Sequence, residues 1–132
     1  MAEPAKMPKL LFVCTANQFR SPLAAAYFSR KLKEVGFSEN WDVISAGTWT
    51  RNGLPAHPSA IMLSEEYHLD LGSHKTQEIN VEYLSEADLV IVMEQGHKEA
   101  LCLEFLLYCE KIMLLGQATD REVDDITDPA AN

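Results

Sequence analysis

Lys9-Leu10-Leu11-Phe12-Val13 is a short run in which apolar residues do not alternate with polar ones, the pattern of a strand covered on both faces. The run stops at Cys14. A polar stretch then leads to Pro22, a residue favoured at the first helical position, and Leu23, Ala24, Ala25, Ala26, Phe28, Leu32 and Val35 continue with helical character until Gly36. Trp41-Asp42-Val43-Ile44-Ser45 predicts a second strand, closed by Ala46-Gly47, and Pro58 to Tyr67 a second helix. Asp88-Leu89-Val90-Ile91-Val92-Met93 is the most strand-like run. The segment from His97 to about Tyr108 has helical spacing, and Lys111-Ile112-Met113-Leu114-Leu115 predicts a fourth strand.

Four apolar strands alternating with helical segments imply an α/β fold: a parallel four-stranded sheet, expected in the order 2-1-3-4, with helices on both faces and right-handed crossovers. Ligands of such sheets sit beyond the carboxyl ends of the strands, near the point where the strand order reverses. The loop after the first strand is therefore the expected site. A chain of 132 residues has room for one domain, expected over 1–132, with residues 1–8 read as a disordered lead-in.

The formal charge of −9 disfavours nucleic acid and anionic lipid as partners, so any bound anion needs a local trap. No stretch approaches about 18 uninterrupted apolar residues, and the N-terminus has no apolar signal core, so no membrane association is expected. Three cysteines with no CxxC pair and no Cys/His cluster argue against a disulfide framework and a metal site, and for a reducing, cytoplasmic setting.

The loop reads Cys14-Thr15-Ala16-Asn17-Gln18-Phe19-Arg20-Ser21-Pro22. The five residues between Cys14 and Arg20 can curl so that their amides converge on one point, where the helix N-terminus adds partial positive charge. A tetrahedral oxyanion fits that description. Arg20 offers a planar fork for two of its oxygens, and a thiol in such a setting is stabilised as the anion, which would make Cys14 a nucleophile. Displacement at phosphorus also needs an acid for the leaving oxygen. Asp124, Asp125 and Asp128 supply candidates, and Asp128 is favoured because Pro129 stiffens the backbone before it.

Leu11 to Pro22, together with Ser45-Ala46-Gly47-Thr48, Val92-Met93-Glu94 and Asp128-Pro129, resembles the low-molecular-weight protein tyrosine phosphatases in order along nearly the whole chain. The resemblance implies that Cys14 forms a phosphocysteine, Arg20 binds the phosphoryl group, and Asp128 acts first as acid and then as base. It further implies that Thr15, Ala16, Asn17, Gln18, Phe19 and Ser21 line the phosphate-binding loop. Asn17, Ser21, Ser45 and His74 would form a supporting hydrogen-bond network, with Ser21 donating to the thiolate, and Trp49 would wall the substrate cleft. No cofactor or metal is implied. The partners implied are a phosphorylated protein or peptide, with phosphate or sulfate as a product-like ligand. His57, His68 and His97 are read as surface or packing residues.

Several positions depart from the family pattern. Ala16 stands where glycine is usual, so its backbone must tolerate a methyl group. Phe19 replaces a second cysteine able to protect the nucleophile. Gln18 matches neither the aliphatic residue of tyrosine-type members nor the threonine of arginine phosphatases. Ala130 and Ala131 replace a usual aromatic wall. The final family helix is missing from the pattern: either the chain is shortened, or a sheet face is covered by a second copy in a homodimer or left bare.

Four alternatives stay open: a protein arginine phosphatase of the same fold, an arsenate reductase, a non-catalytic phosphate-binding module and a flavodoxin-like redox carrier. An arsenate reductase would need Cys102 and Cys109 as a relay. Seven residues on one helix separate them by about 10.5 Å along the axis, beyond the roughly 6.8 Å Cα limit for a disulfide. Core packing is the expected role for both.

Overall fold

The computed structural model describes residues 7–36 and 41–118. The elements are β1 (Lys9–Cys14), α1 (Arg20–Glu34), β2 (Asp42–Gly47), α2 (Pro58–Glu66), α3 (Val81–Glu86), β3 (Leu89–Val92), α4 (Gln95–Glu104), a 3₁₀ helix (Leu106–Lys111), β4 (Ile112–Leu114) and α5 (Leu115–Ala118). The four strands are parallel in the order β2-β1-β3-β4, as the alternation of apolar strands and helices predicts.

The unbroken apolar run of β1 has a direct cause. Side chains alternate between faces of a strand, and both faces here are covered. Leu11 and Val13 join Val90, Val92, Leu84 and Leu101 under α3 and α4. Leu10, Phe12 and Cys14 join Ile91 and Met93 against Ala24, Ala25 and Phe28 of α1. Phe28 meets Phe12 and Trp41 edge-on, with ring centres 6.0 and 6.2 Å apart. A third cluster, Ala56, Ala60 and Leu71, seats α2 against Phe19, Leu23 and Ala26.

The start of β1 is tied down by charge. The Lys9 amide donates to Asp88 Oδ2 at 2.7 Å. Its ammonium bonds Glu86 at 3.0 Å and lies 3.6 Å from Asp42. The hydrogen bond to Glu86 holds the Lys9 pKa above its ordinary value.

Three expectations need correction. The helix after β3 does not run from His97 to Tyr108; α4 spans Gln95–Glu104, and Phe105 leaves the helix at φ −127°, ψ 60°. Cys102 and Cys109 consequently do not share a helix. The 3₁₀ turn brings their Cα atoms to 4.8 Å, and they form a disulfide that the sequence argument excluded, while Cys102 also packs against the core as expected. The sequence pattern also passed over α3, which is too short for helical periodicity and is started by Asn80, whose side chain accepts from the Tyr83 amide.

Candidate active site

Cys14 is the last residue of β1, and the alternation that sends Leu10 and Phe12 toward α1 carries its side chain to the same face. Its sulfur lies 2.9 Å from Ser21 Oγ in the first turn of α1. Asn17 holds this pair in place: its Nδ2 donates to Ser21 Oγ at 2.8 Å and to Ser45 Oγ at 3.0 Å. Because Ser21 Oγ accepts from Asn17, its own proton is available to the sulfur, with Ala46 O a longer alternative at 3.4 Å. Asn17 Oδ1 accepts from the Gln77 amide at 3.0 Å. Asn17 is fully buried and sits at φ +58°, a region that asparagine tolerates better than most residues. The left-handed corner of the loop falls on Asn17 and not on Ala16, which explains how the methyl group of Ala16 is accommodated.

The loop's carbonyls are taken by the surrounding elements. Cys14 O accepts from the Thr48 amide, Thr15 O from Trp49, Gln18 O from His57, and Phe19 O from Leu23 of α1. Asn17 O accepts from His74 Nε2 at 2.7 Å, and since a carbonyl only accepts, Nε2 carries the proton. Across a trans peptide, C=O and the following N–H point in opposite directions. The amides of Thr15, Ala16, Gln18, Phe19 and Arg20 are therefore turned away from these partners.

Arg20 opens α1 with a side chain only 5% exposed, and its Nη1 lies 3.4 Å from Glu94 Oε1. A buried guanidinium needs such a partner, and the carboxylate also fixes which way the fork faces. Gly47 is required for a steric reason. A Cβ there would lie 2.6 Å from the carbonyl oxygen of Thr15, so only glycine lets the end of β2 approach the loop.

The other candidates fall into four groups. Ser45 and His74 contact Asn17, within reach of the loop. Trp49 is 82% exposed beside the loop, its amide bonded to Thr15 O. Gln18 turns its side chain to Pro55 O at 3.0 Å, and Phe19 meets the His57 ring at 5.8 Å. Asp128 lies outside the described residues.

Sequence reasoning missed two residues. His97 is not a bystander: it is 5% exposed, with Nε2 2.8 Å from Thr15 Oγ1. It and Glu94 also form a reciprocal cap at the start of α4, in which the Glu94 carboxylate accepts the His97 amide and His97 Nδ1 accepts the Glu94 amide at 3.1 Å. The three-residue spacing of Glu94 and His97 was the available signal, since it is the spacing of a capping box. His57 caps α2 by accepting from the Ser59 amide, while His68 is exposed as expected. Among the described residues, no cluster of three or more His, Cys, Asp or Glu has the arrangement of a metal site, and no helix is long and apolar enough to cross a membrane.

Comparison with known proteins agrees with this geometry. The family model described as low molecular weight phosphotyrosine protein phosphatase matches residues 9–132. A protein-arginine-phosphatase of Bacillus subtilis is 32% identical over 91% of this chain and 78% of its own length. The crystal structure of a low molecular weight protein tyrosine phosphatase from T. tengcongensis superposes with a TM-score of 0.85 at 36% identity, covering 92% of this chain and 82% of that one. Wzb of Vibrio vulnificus, solved with benzylphosphonate, gives 0.81 at 33% identity, covering 94% and 82%.

Proposed function

The chain belongs to the low molecular weight phosphotyrosine protein phosphatase family, and on that premise we propose that it hydrolyses phosphotyrosine in proteins through a phosphocysteine formed at Cys14. The observation that carries this reading is the 2.9 Å contact of Ser21 Oγ with the Cys14 sulfur, at the two ends of a loop whose carbonyls are bonded outward and which leads to the buried Arg20 guanidinium.

In the first step Cys14 Sγ, as the anion, attacks phosphorus and the bond to the substrate oxygen breaks. Asp128 gives its proton to that leaving oxygen. In the second step Asp128 takes a proton from water, whose oxygen attacks phosphorus and returns Cys14 as the thiolate with release of inorganic phosphate. The loop amides and Arg20 stabilise the charge on the equatorial oxygens in both steps, so the mechanism draws on no metal or cofactor. Ser21 steadies the sulfur anion before attack and after release. Trp49, exposed at the rim, offers an aromatic face to an aryl substrate.

The second reading, phosphoarginine hydrolysis, is favoured by the Bacillus subtilis relative and uses the same chemistry. A cytoplasmic location completes the proposal.

The test is turnover of phosphotyrosine and phosphoarginine peptides measured side by side. Hydrolysis of both abolished by Cys14→Ser, with phosphotyrosine the better substrate, is the expected result. Clear preference for phosphoarginine transfers the substrate and keeps the mechanism; turnover that survives Cys14→Ser removes the mechanism.

A further inference from the structure

The histidine that the sequence pattern left without a role is bonded to the residue next to the nucleophile. We propose that His97 is a positioning residue of the oxyanion loop, acting through the hydroxyl of Thr15. The proposal rests on reading residues 14–21 as that loop.

The tautomer follows from hydrogen bonding. His97 Nδ1 lies 3.1 Å from the Glu94 amide nitrogen, which can only donate, so Nδ1 must present its lone pair. The proton of the neutral ring is thereby fixed on Nε2, which faces Thr15 Oγ1 at 2.8 Å. Thr15 is thus held at two points: its carbonyl by the Trp49 amide at 2.9 Å and its hydroxyl by His97. These anchors come from opposite sides of the site, one from the segment after β2 and one from α4. Between them they set the rotation of the Thr15 residue, and with it the direction of the Thr15 and Ala16 amides.

The same side chain acts on the arginine. By accepting the Glu94 amide, His97 helps hold Glu94 at the start of α4, where its carboxylate reaches Arg20 at 3.4 Å. One buried imidazole therefore links the residue after the nucleophile to the partner of the guanidinium. Glu94 Oε2, 3.6 Å from Nε2, is the charged group beside the ring. Groups that hold binding residues in place affect function without touching the ligand.

The experiment compares Thr15→Val, Thr15→Ser, His97→Ala, His97→Gln and the Thr15→Val/His97→Ala double variant. The readouts are binding of inorganic phosphate, steady-state rates on an aryl phosphate, thermal melting and the imidazole and amide ¹⁵N spectra. Thr15→Val leaves the α4 cap untouched, so it should weaken phosphate binding about tenfold, beyond what the lower melting temperature from the lost part-buried hydrogen bond accounts for. Thr15→Ser, which keeps the hydroxyl, should recover most of what Thr15→Val loses. His97→Gln should recover most of what His97→Ala loses, because glutamine at this capping position supplies both an acceptor and a donor. The double variant should bind no worse than the poorer single one.

A ring protonated on Nδ1, or losses that simply add, would overturn the proposal. If the native protein binds no phosphate at all, the oxyanion reading falls. The spectra then decide separately: shared shifts of the loop amides in Thr15→Val and His97→Ala support positioning, and unmoved amides refute it.

Discussion

Ser21 Oγ lies 2.9 Å from Cys14 Sγ, and this contact joins the end of β1 to the first turn of α1 across the whole loop. A hydroxyl that already accepts from Asn17 has its proton left for the sulfur. Ser21→Ala should therefore lower kcat on an aryl phosphate by about 10- to 100-fold, the equivalent of the ~1.5–3 kcal/mol of a hydrogen bond to a charged group. KM should change little. Steady-state kinetics at one pH is the check, and an unaltered kcat would mean that the contact has no part in turnover.

Two glycines should separate loop placement from stability. Gly47→Ala drives a methyl group to within 2.6 Å of the Thr15 carbonyl oxygen, a main-chain atom that cannot step aside. Overpacking of this kind costs ~1–3 kcal/mol, and the displaced loop should lose activity beyond what melting accounts for. Gly53→Ala meets nothing within 4 Å but sits at φ +89°, so it should lower the melting temperature while kcat stays native.

Asp128→Asn should slow aryl phosphates with poor leaving groups far more than those with good ones. Only a basic leaving oxygen depends on a donated proton. Equal slowing across a series of substituted phenyl phosphates would assign the acid to another residue.

Peroxide should inactivate the protein with little spontaneous recovery. Phe19, not a cysteine, stands beside Arg20, and Cys14 is the one free cysteine among the described residues. The first oxidation product of Cys14 has no neighbour in the loop to trap it as a disulfide. Added thiol soon after exposure should restore activity, late addition should not, and Phe19→Cys should lengthen the window.

Lys9→Met should cost less than ~1 kcal/mol near neutral pH, the range for an exposed ion pair. Folding raises the Lys9 pKa, chiefly through the Glu86 hydrogen bond, so the contribution is complete below the unfolded value of 10.5 and fades as pH rises through the folded one. Chemical denaturation of both proteins should show a gap at pH 8 that narrows as pH rises beyond the unfolded value of 10.5.

β1 and β3 were legible because two-sided burial leaves an unmistakable apolar run, and α1 because Pro22 and Gly36 bracket it. The Cys14–Arg20 spacing was legible because the loop is local. What shapes that loop was not: Asn17 meets His74 and Gln77 at separations of 57 and 60 residues, and Thr15 meets His97 at 82. No window of sequence contains both partners. The disulfide was hidden for a related reason, since a separation of about 10.5 Å holds only on a continuous helix, about 1.5 Å per residue, and Phe105 ends α4 before Cys109.

Because the loop takes its shape from segments so distant along the chain, it has no independent existence. A partly folded molecule, with the 74–77 segment undocked, holds neither the corner at Asn17 nor the direction of its amides. Such a chain has no formed loop, and any ligand that fits only the finished loop stabilises the complete fold over partly assembled copies.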